Sequence, residues 1–396
     1  MSNSTIKSVL VYGSVAPNVC NACVLHLTGM ANALADQGLD VTLMAPESAS
    51  EDPLSQGLAH GVRTEEFGWP KVFSKTIWTL GPVISALKFR RFLKKHKPDL
   101  LYVRTNLLTW PLHWYASCLG ITSVAEHNGI ISVELSNRKV GLILAPLATW
   151  FQRLSCKFAT YSRAVTEGMK RQLVDLGAEA DKIFVLGNGT DVSQLKRLPR
   201  KESLKSLKLE EDSFYVGFLG SLSWWQGVHT LIDALHVARK SVPNLHLLIG
   251  GDGAELSALK AQARKLGILD HVTFLGYVDF STRLDVLSAM DVTTFPACAK
   301  RNKEQGVSPL KVRDYAAVGS VILAADLPGL EHMASRGALV VYEPDNVNDL
   351  AQKIVDIHAN LPMRVTLSQN SRRYAEKNYS WDLIARQLLD RVKIVN

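Results

Sequence analysis

The chain has 396 residues, long enough for more than one core, since single cores rarely grow past about 250–300 residues. With 47% apolar and 21% charged residues and no low-complexity tract, the composition excludes a disordered or collagen-like chain. No uncharged apolar run reaches the roughly 18 residues of a membrane span, Val140 to Phe151 coming nearest, and the net charge of +8 leaves anionic partners open.

From the N-terminus, MSNSTIKSVLVYGS has one lysine and then a short apolar run that reads as a first strand, with no signal-peptide cleavage pattern. A cytoplasmic location is the expectation. Gly13 closes that strand, either as a plain turn glycine or to let the chain approach a ligand closely. Cys20 and Cys23 form a lone CNAC without a second CxxC or a spaced histidine pair, so structural thiols are expected and a metal site is not. Five cysteines do not make a disulfide framework.

A helix running to Gly38 and the strand DVTLMAP follow. From Lys71 to Lys97 the chain carries Lys71, Lys75, Lys88, Arg90, Arg91, Lys94, Lys95 and Lys97 and no acid, interleaved with Trp78, Phe89 and Phe92. This basic amphipathic stretch is a solvated helix face, or a contact for an anionic membrane surface or a phosphate-bearing acceptor. Nucleic acid is not expected, because no binding module surrounds it. The strands DLLYVR and SVAEHN then bring Arg104 and the pair Glu126, His127 to strand ends.

A polar stretch, Leu195 to Asp212, reads as the boundary between two domains, 1–200 and 201–375. Beyond it YVGFLG, NLHLLIGG, HVTFLG, DVTTFP and SVILAAD restart the same alternation of apolar runs with helical segments. The fold class expected is α/β, with two doubly wound Rossmann-like units and a binding crevice outside the carboxyl ends of the strands, between the halves. Neither half carries G-x-G-x-x-G after its first strand, so no nicotinamide or flavin cofactor is expected.

In GVSPLKVRDYAAVG, Ser308 reads as the N-cap and Pro309 as the first residue of a helix that Gly319 ends. Lys311 sits in the first turn with no carboxylate nearby, where the helix dipole disfavours a cation unless an anion also arrives. Backbone N–H groups from Ser308 through Leu310 to Lys311 could hold a phosphate, and Asp314 one turn on could accept from two sugar hydroxyls.

The run GVSPLKVRDYAAVGSVILAADLPGLE resembles the donor-binding segment of glycosyltransferase family 4, retaining enzymes of the GT-B fold, in a subgroup with SPLK in the donor loop. KIFVLGNGTD, VGFLGSLSWWQGVHTLIDAL, LLIGGDG and HVTFLGYV follow in the family's order, and YSWDLIARQLLDRV is similar to its last helix, 376–396, which crosses back to the first domain. The resemblance implies two domains facing across a cleft and sugar transfer from a nucleoside diphosphate sugar, with the anomeric configuration kept and no cofactor or metal. The acceptor is a glycan or a lipid-linked acceptor.

It places Gly220, Ser221 and Gln226 in the first donor loop, and Tyr277 and Val278 at the donor base. Lys311 becomes a catalytic cation, and Glu126 falls on the acceptor side. Arg104 either binds the acceptor or only neutralises a nearby acid. His127 either faces the donor sugar or only satisfies a loop. The chain departs from the family where the first of two glutamates falls on Gly306, the second being Asp314, and where the usual basic pair is Ser221 and Gln226. Two alternatives stay open: a GT-B sugar-nucleotide epimerase, and a non-catalytic nucleotide-sugar-binding partner of another transferase.

Overall fold

A computed structural model describes residues 6–13, 22–46, 58, 61–67, 86–132, 141–279 and 281–394. The chain forms two compact units, one of Met1–Gly189 with Trp381–Asn396 and one of Thr190–Ser380.

The first unit is built on a parallel sheet of seven strands: β1 (Ser8–Tyr12), β2 (Asp40–Pro46), β3 (Val62–Phe67), β4 (Leu100–Arg104), β5 (Thr122–His127), β6 (Tyr161–Ala164) and β7 (Ile183–Val185), in the order β3-β2-β1-β4-β5-β6-β7. The central strands are apolar on both faces because helices cover both. Leu10, Val11 and Tyr12 of β1 and Leu101, Tyr102 and Val103 of β4 are all buried. The helix Trp381–Arg391 packs against the helix Ala22–Asp36 through Ile384, Ala385 and Leu388. Its first residue, Trp381, fills a slot over Gly29 and Gly189, where a Cβ on either would come within 2.5 Å of the indole.

The second unit carries six parallel strands: β8 (Phe214–Leu219), β9 (Leu245–Gly250), β10 (Val272–Gly276), β11 (Val292–Phe295), β12 (Val321–Ala325) and β13 (Val340–Tyr342), ordered β10-β9-β8-β11-β12-β13. The order reverses between β8 and β11, and in such sheets ligands gather at the carboxyl ends beside the reversal.

The α/β class and the pair of doubly wound units expected from the sequence are present. The division, however, lies after Gly189 and not at 200. The polar stretch belongs to the second unit, because Leu204 is fully buried there and Arg197 donates to the carbonyls of Gly319, Ser288 and Met290. Cys20, Lys71 and Lys75 lie outside the described residues, as do the side chains of Cys23, Lys88 and Glu304, the acid two residues before the Gly306 position of the family's first glutamate. Among the described residues no helix is long and apolar enough to cross a membrane, and no group of histidine, cysteine and carboxylate side chains could hold a metal ion.

Candidate functional site

In the second unit the carboxyl ends of β8, β9 and β11 are drawn together by glycines. Gly220 N donates to Gly250 O at 2.9 Å, and Leu222 N to Asp252 O at 2.9 Å. Gly227 has φ +68°, and a Cβ there would lie 1.8 Å from Pro296 O, so no other residue fits between the β8 loop and β11. The helix Leu310–Val318 is pinned to the same edge by Tyr315, whose hydroxyl accepts from Leu219 N at 2.9 Å and donates to Leu219 O at 3.3 Å.

The helix begins one residue later than the sequence suggested. Pro309 is the N-cap, extended at ψ 121°, and no side chain caps the helix. Ser308 is occupied otherwise, since its hydroxyl accepts from Arg313 Nη2 at 2.7 Å. The first turn carries no acid, so the free N–H groups and the dipole at this end are uncompensated by side chains.

Lys311 turns its ammonium back to the β8 loop, donating to Gln226 Oε1 at 2.7 Å and lying 4.0 Å from the Phe218 ring centre. Gly220 makes room for it, since a Cβ there would meet Nζ at 2.5 Å. The residue as a whole is half-buried, but its ammonium is enclosed, and burial lowers its pKa to about 7. Among the described residues no carboxylate pairs with it.

Asp314 faces inward as well. Its oxygens accept from Thr190 Oγ1 at 2.5 Å and Arg283 Nη1 at 3.0 Å, and burial raises its pKa against the pull of Arg283. Both oxygens are thus engaged within the unit, so direct acceptance from a pair of sugar hydroxyls would require these contacts to yield. Ser221 and Tyr277 are exposed at the same strand ends, and Val278 and Leu310 are half-buried. Lys311, Gln226 and Gly220 are therefore brought into contact, while Asp314 belongs to a separate hydrogen-bonded group with Thr190 and Arg283.

The first unit holds a different cluster, at the ends of β4 to β7. Glu126 is fully buried; its oxygens face the Tyr102 hydroxyl, Arg104 Nη1 at 3.3 Å, Arg163 Nη1 at 3.5 Å, His26 Nε2 at 3.4 Å and the Asn128 amide. Burial opposes its ionisation, but His26, Arg163 and Arg104 outweigh that and hold its carboxyl below the usual range. Arg163, also fully buried, donates to Leu186 O at 2.9 Å, Gly187 O at 2.5 Å and Asn188 Oδ1 at 3.1 Å. Burial pushes His26 down to about 3, so it is neutral at pH 7, with Nε2 2.8 Å from Asn188 Oδ1 and its ring edge-on to Trp381.

These placements correct the acceptor-side reading of Glu126. Every direction around its carboxylate is taken by protein, so it holds neighbouring side chains and meets no solvent. Arg104 neutralises it from the edge of the cluster, with 18% of its side chain exposed. His127 is 1% exposed, its Nδ1 3.2 Å from Gln152 Nε2 and its Nε2 3.5 Å from Cys156 Sγ. An amide nitrogen can only donate, so Nδ1 accepts and the ring is neutral, in keeping with burial lowering its pKa to about 4. Gln152 in turn holds Gly129 O and Ile131 N, so His127 braces the loop after β5 and does not face out of it. Gly13 packs on the first helix, where a Cβ would meet Leu27 Cδ1 at 2.2 Å.

The sequence reading missed His26, Arg163, Asn188 and Gln226's hold on Lys311. None of these carries a local signal; Arg163 sits in β6, whose sequence YSRA has no apolar run.

The chain is similar to known proteins over most of its length. Residues 199–374 match the family described as glycosyl transferases group 1, and residues 24–194 match glycosyltransferase family 4. The glycogen synthase of Mycobacterium tuberculosis is 23% identical over 407 aligned residues, which cover 96% of this chain and 92% of that protein. A second protein of that organism, a GDP-mannose-dependent α-(1-6)-phosphatidylinositol monomannoside mannosyltransferase, is 26% identical over 80% of each chain. In fold, the Anabaena protein HepE, crystallised with UDP and glucose, superposes with a TM-score of 0.76 at 20% identity, covering 97% of this chain and 98% of that one.

Proposed function

The chain belongs to the family 4 glycosyltransferases of GT-B fold, and on that premise we propose that it moves a sugar from a nucleoside diphosphate sugar to a glycan or lipid-linked acceptor, with retention and without a metal.

One observation carries this reading: an enclosed ammonium, Lys311, at a helix N-terminus that has no acid in its first turn and no carboxylate paired with the lysine among the described residues. A diphosphate is the anion that such a place lacks. In the proposed reaction the bond from the sugar's anomeric carbon to the phosphate oxygen breaks, and its electron pair stays on the diphosphate. That charge is met by Lys311 and the N–H groups at Ser308 to Lys311. The acceptor hydroxyl attacks the face that the diphosphate leaves, and its proton passes to a phosphate oxygen. We assign His127 to bracing the loop after β5 and Arg104 to neutralising Glu126.

The relatives named above act on sugar polymers and on a lipid glycoside by their names, which supports a role in polysaccharide or glycolipid synthesis. The test is incubation with a panel of nucleotide sugars, following diphosphate release with and without sugar acceptors and in the presence of a chelator. Release that depends on acceptor, survives chelation and yields a product with the donor's anomeric configuration supports the reading. Donor turnover without acceptor would favour an epimerase, and binding without any turnover a non-catalytic partner.

A further inference from the structure

Three helices of the first unit, Ala86–His96, Trp110–Cys118 and Gly141–Phe158, contain no aspartate or glutamate. They pack side by side, the middle one touching both others. Ring contacts join them: the Arg90 guanidinium lies 5.8 Å from the Tyr115 ring centre, and Tyr115 lies 4.9 Å from Trp114. On the other side Trp110 stacks on Phe151 at 6.3 Å, and Phe151 lies 5.2 Å from Trp150.

What this layer exposes is unusual for a helical face of a globular unit. Trp114 is 41% exposed, Leu147 45% and Trp150 51%, the last two one turn apart on the third helix. Arg153 and Lys157 continue the same stripe, also exposed, and Arg90, Arg91, Lys94 and Lys95 are exposed on the first helix. A solvated helix face normally mixes charges of both signs. Here large aromatic and aliphatic side chains stand beside cations alone, the pattern that suits the headgroup level of an anionic bilayer, where tryptophan is favoured and lysine and arginine meet lipid phosphate.

We propose that this three-helix face docks on an anionic lipid bilayer, with Trp114, Leu147 and Trp150 entering the interface and Arg90, Lys94, Arg153 and Lys157 pairing with lipid phosphates. The charge complementarity commits the face to lipid, not to a second copy of the chain, which would bring like charge against like. The inference deepens the transferase reading, and rests on it only in making the acceptor one carried by the membrane. Lipid binding itself stands or falls apart from catalysis.

The experiment is co-sedimentation of the full chain with vesicles of phosphatidylcholine alone and of phosphatidylcholine with phosphatidylglycerol, at low and high salt. Binding should require the anionic lipid and fall steeply as the screening length shrinks from about 10 Å at 0.1 M to about 3 Å at 1 M. Changing Arg90, Lys94, Arg153 and Lys157 to glutamine should weaken it by about 600-fold, given roughly fivefold per basic residue at such a surface. Trp114→Ala with Trp150→Ala should weaken binding to the anionic vesicles at both salt concentrations. Calorimetry with UDP and GDP on the same variants reports separately on the nucleotide site, which should be unmoved. Equal binding to both vesicle types, no loss in the glutamine variant, or a self-association in sedimentation velocity that the tryptophan variant abolishes would each overturn the proposal.

Discussion

Glu126 in the first unit and Lys311 in the second are both enclosed charges, yet their surroundings differ in kind. Around Glu126 the protein supplies two guanidinium groups, a phenol, an amide and an imidazole. Around the Lys311 ammonium it supplies one amide oxygen and an aromatic face. A buried charge whose partners are all internal is architecture, because removing any one of them strands the others. A buried charge left without its opposite is a site that something from outside must complete. The same polar chemistry thus does two jobs at the carboxyl ends of two similar sheets.

Acid should separate the two units most sharply. Burial lowers His26 and His113 to about 3 and His127 to about 4, all in the first unit, while the second has His246 at about 4 and His271 lowered. An unfolded histidine titrates near 6.5, so between that pH and the folded values the unfolded chain binds more protons. Stability contributed by these neutral histidines is present above about 6.5 and is lost as pH falls below it, at up to about 1.4 kcal/mol per pH unit for each. Glu126, held ionised, adds to the loss below its ordinary range. Hydrogen exchange at pH 7 and 4.5 should show β4 to β7 opening well before β8 to β12. Equal loss of protection in the two sheets would count against the contrast.

Breaking the pairing comes next in size. Glu126→Ala leaves Arg163 buried without its carboxylate and should cost about 3–5 kcal/mol in denaturant unfolding of the first unit. Adding Arg163→Met should return part of that loss, because the stranded charge goes with it. A double variant no better than the single one would mean that the cluster is not held by the pair.

The alternation of apolar runs and helical segments made the class of fold legible, since strands buried on both faces must be apolar along their length. The strands left unread are informative: β3, VRTEEF, is an edge strand with Arg63 and Glu65 exposed, β6, YSRA, has no apolar run, and β7 and β13 are three residues long. The boundary was misplaced for a related reason. Polarity along Arg200–Ser206 reports one solvated helix face and says nothing of where Leu204 is buried. At the candidate site Lys311 stood out because a helix start is a local pattern. The cluster around Glu126 did not, because Arg163 lies 37 residues away and the bond between His26 and Asn188 spans 162. Ser308 was read as a cap because its type is right for one, and only the fold reveals that Arg313 claims it.

If Lys311 awaits a diphosphate, Lys311→Ala should weaken UDP or GDP binding by about 1.5–3 kcal/mol, the range for a hydrogen bond to a charged group. The thermal unfolding of the unliganded chain should not fall with it. Calorimetry that finds unchanged affinity would remove Lys311 from the phosphate site and leave it as a packing residue on Phe218.

The smallest effect is the most specific to the contrast. Lys311→Met keeps the length of the stem and removes the charge, so the relieved desolvation is set against one lost amide hydrogen bond and one ring contact, for a net gain of about 1 kcal/mol in the unliganded chain. The sign depends on pH. With the folded pKa lowered to about 7 and the unfolded one near 10.5, the unfolded chain holds more protons between those values, so the parent grows more stable as pH rises through that window. Its penalty is complete below pH 7 and gone near 10.5. The methionine variant has no such term. It should therefore be the more stable protein at pH 6.5 and lose that advantage by pH 10, where only the lost contacts count. A methionine variant less stable than the parent at pH 6.5, or a gap that ignores pH, would mean that the cation has a partner within the protein, and the case for an anion from outside would lose its main support.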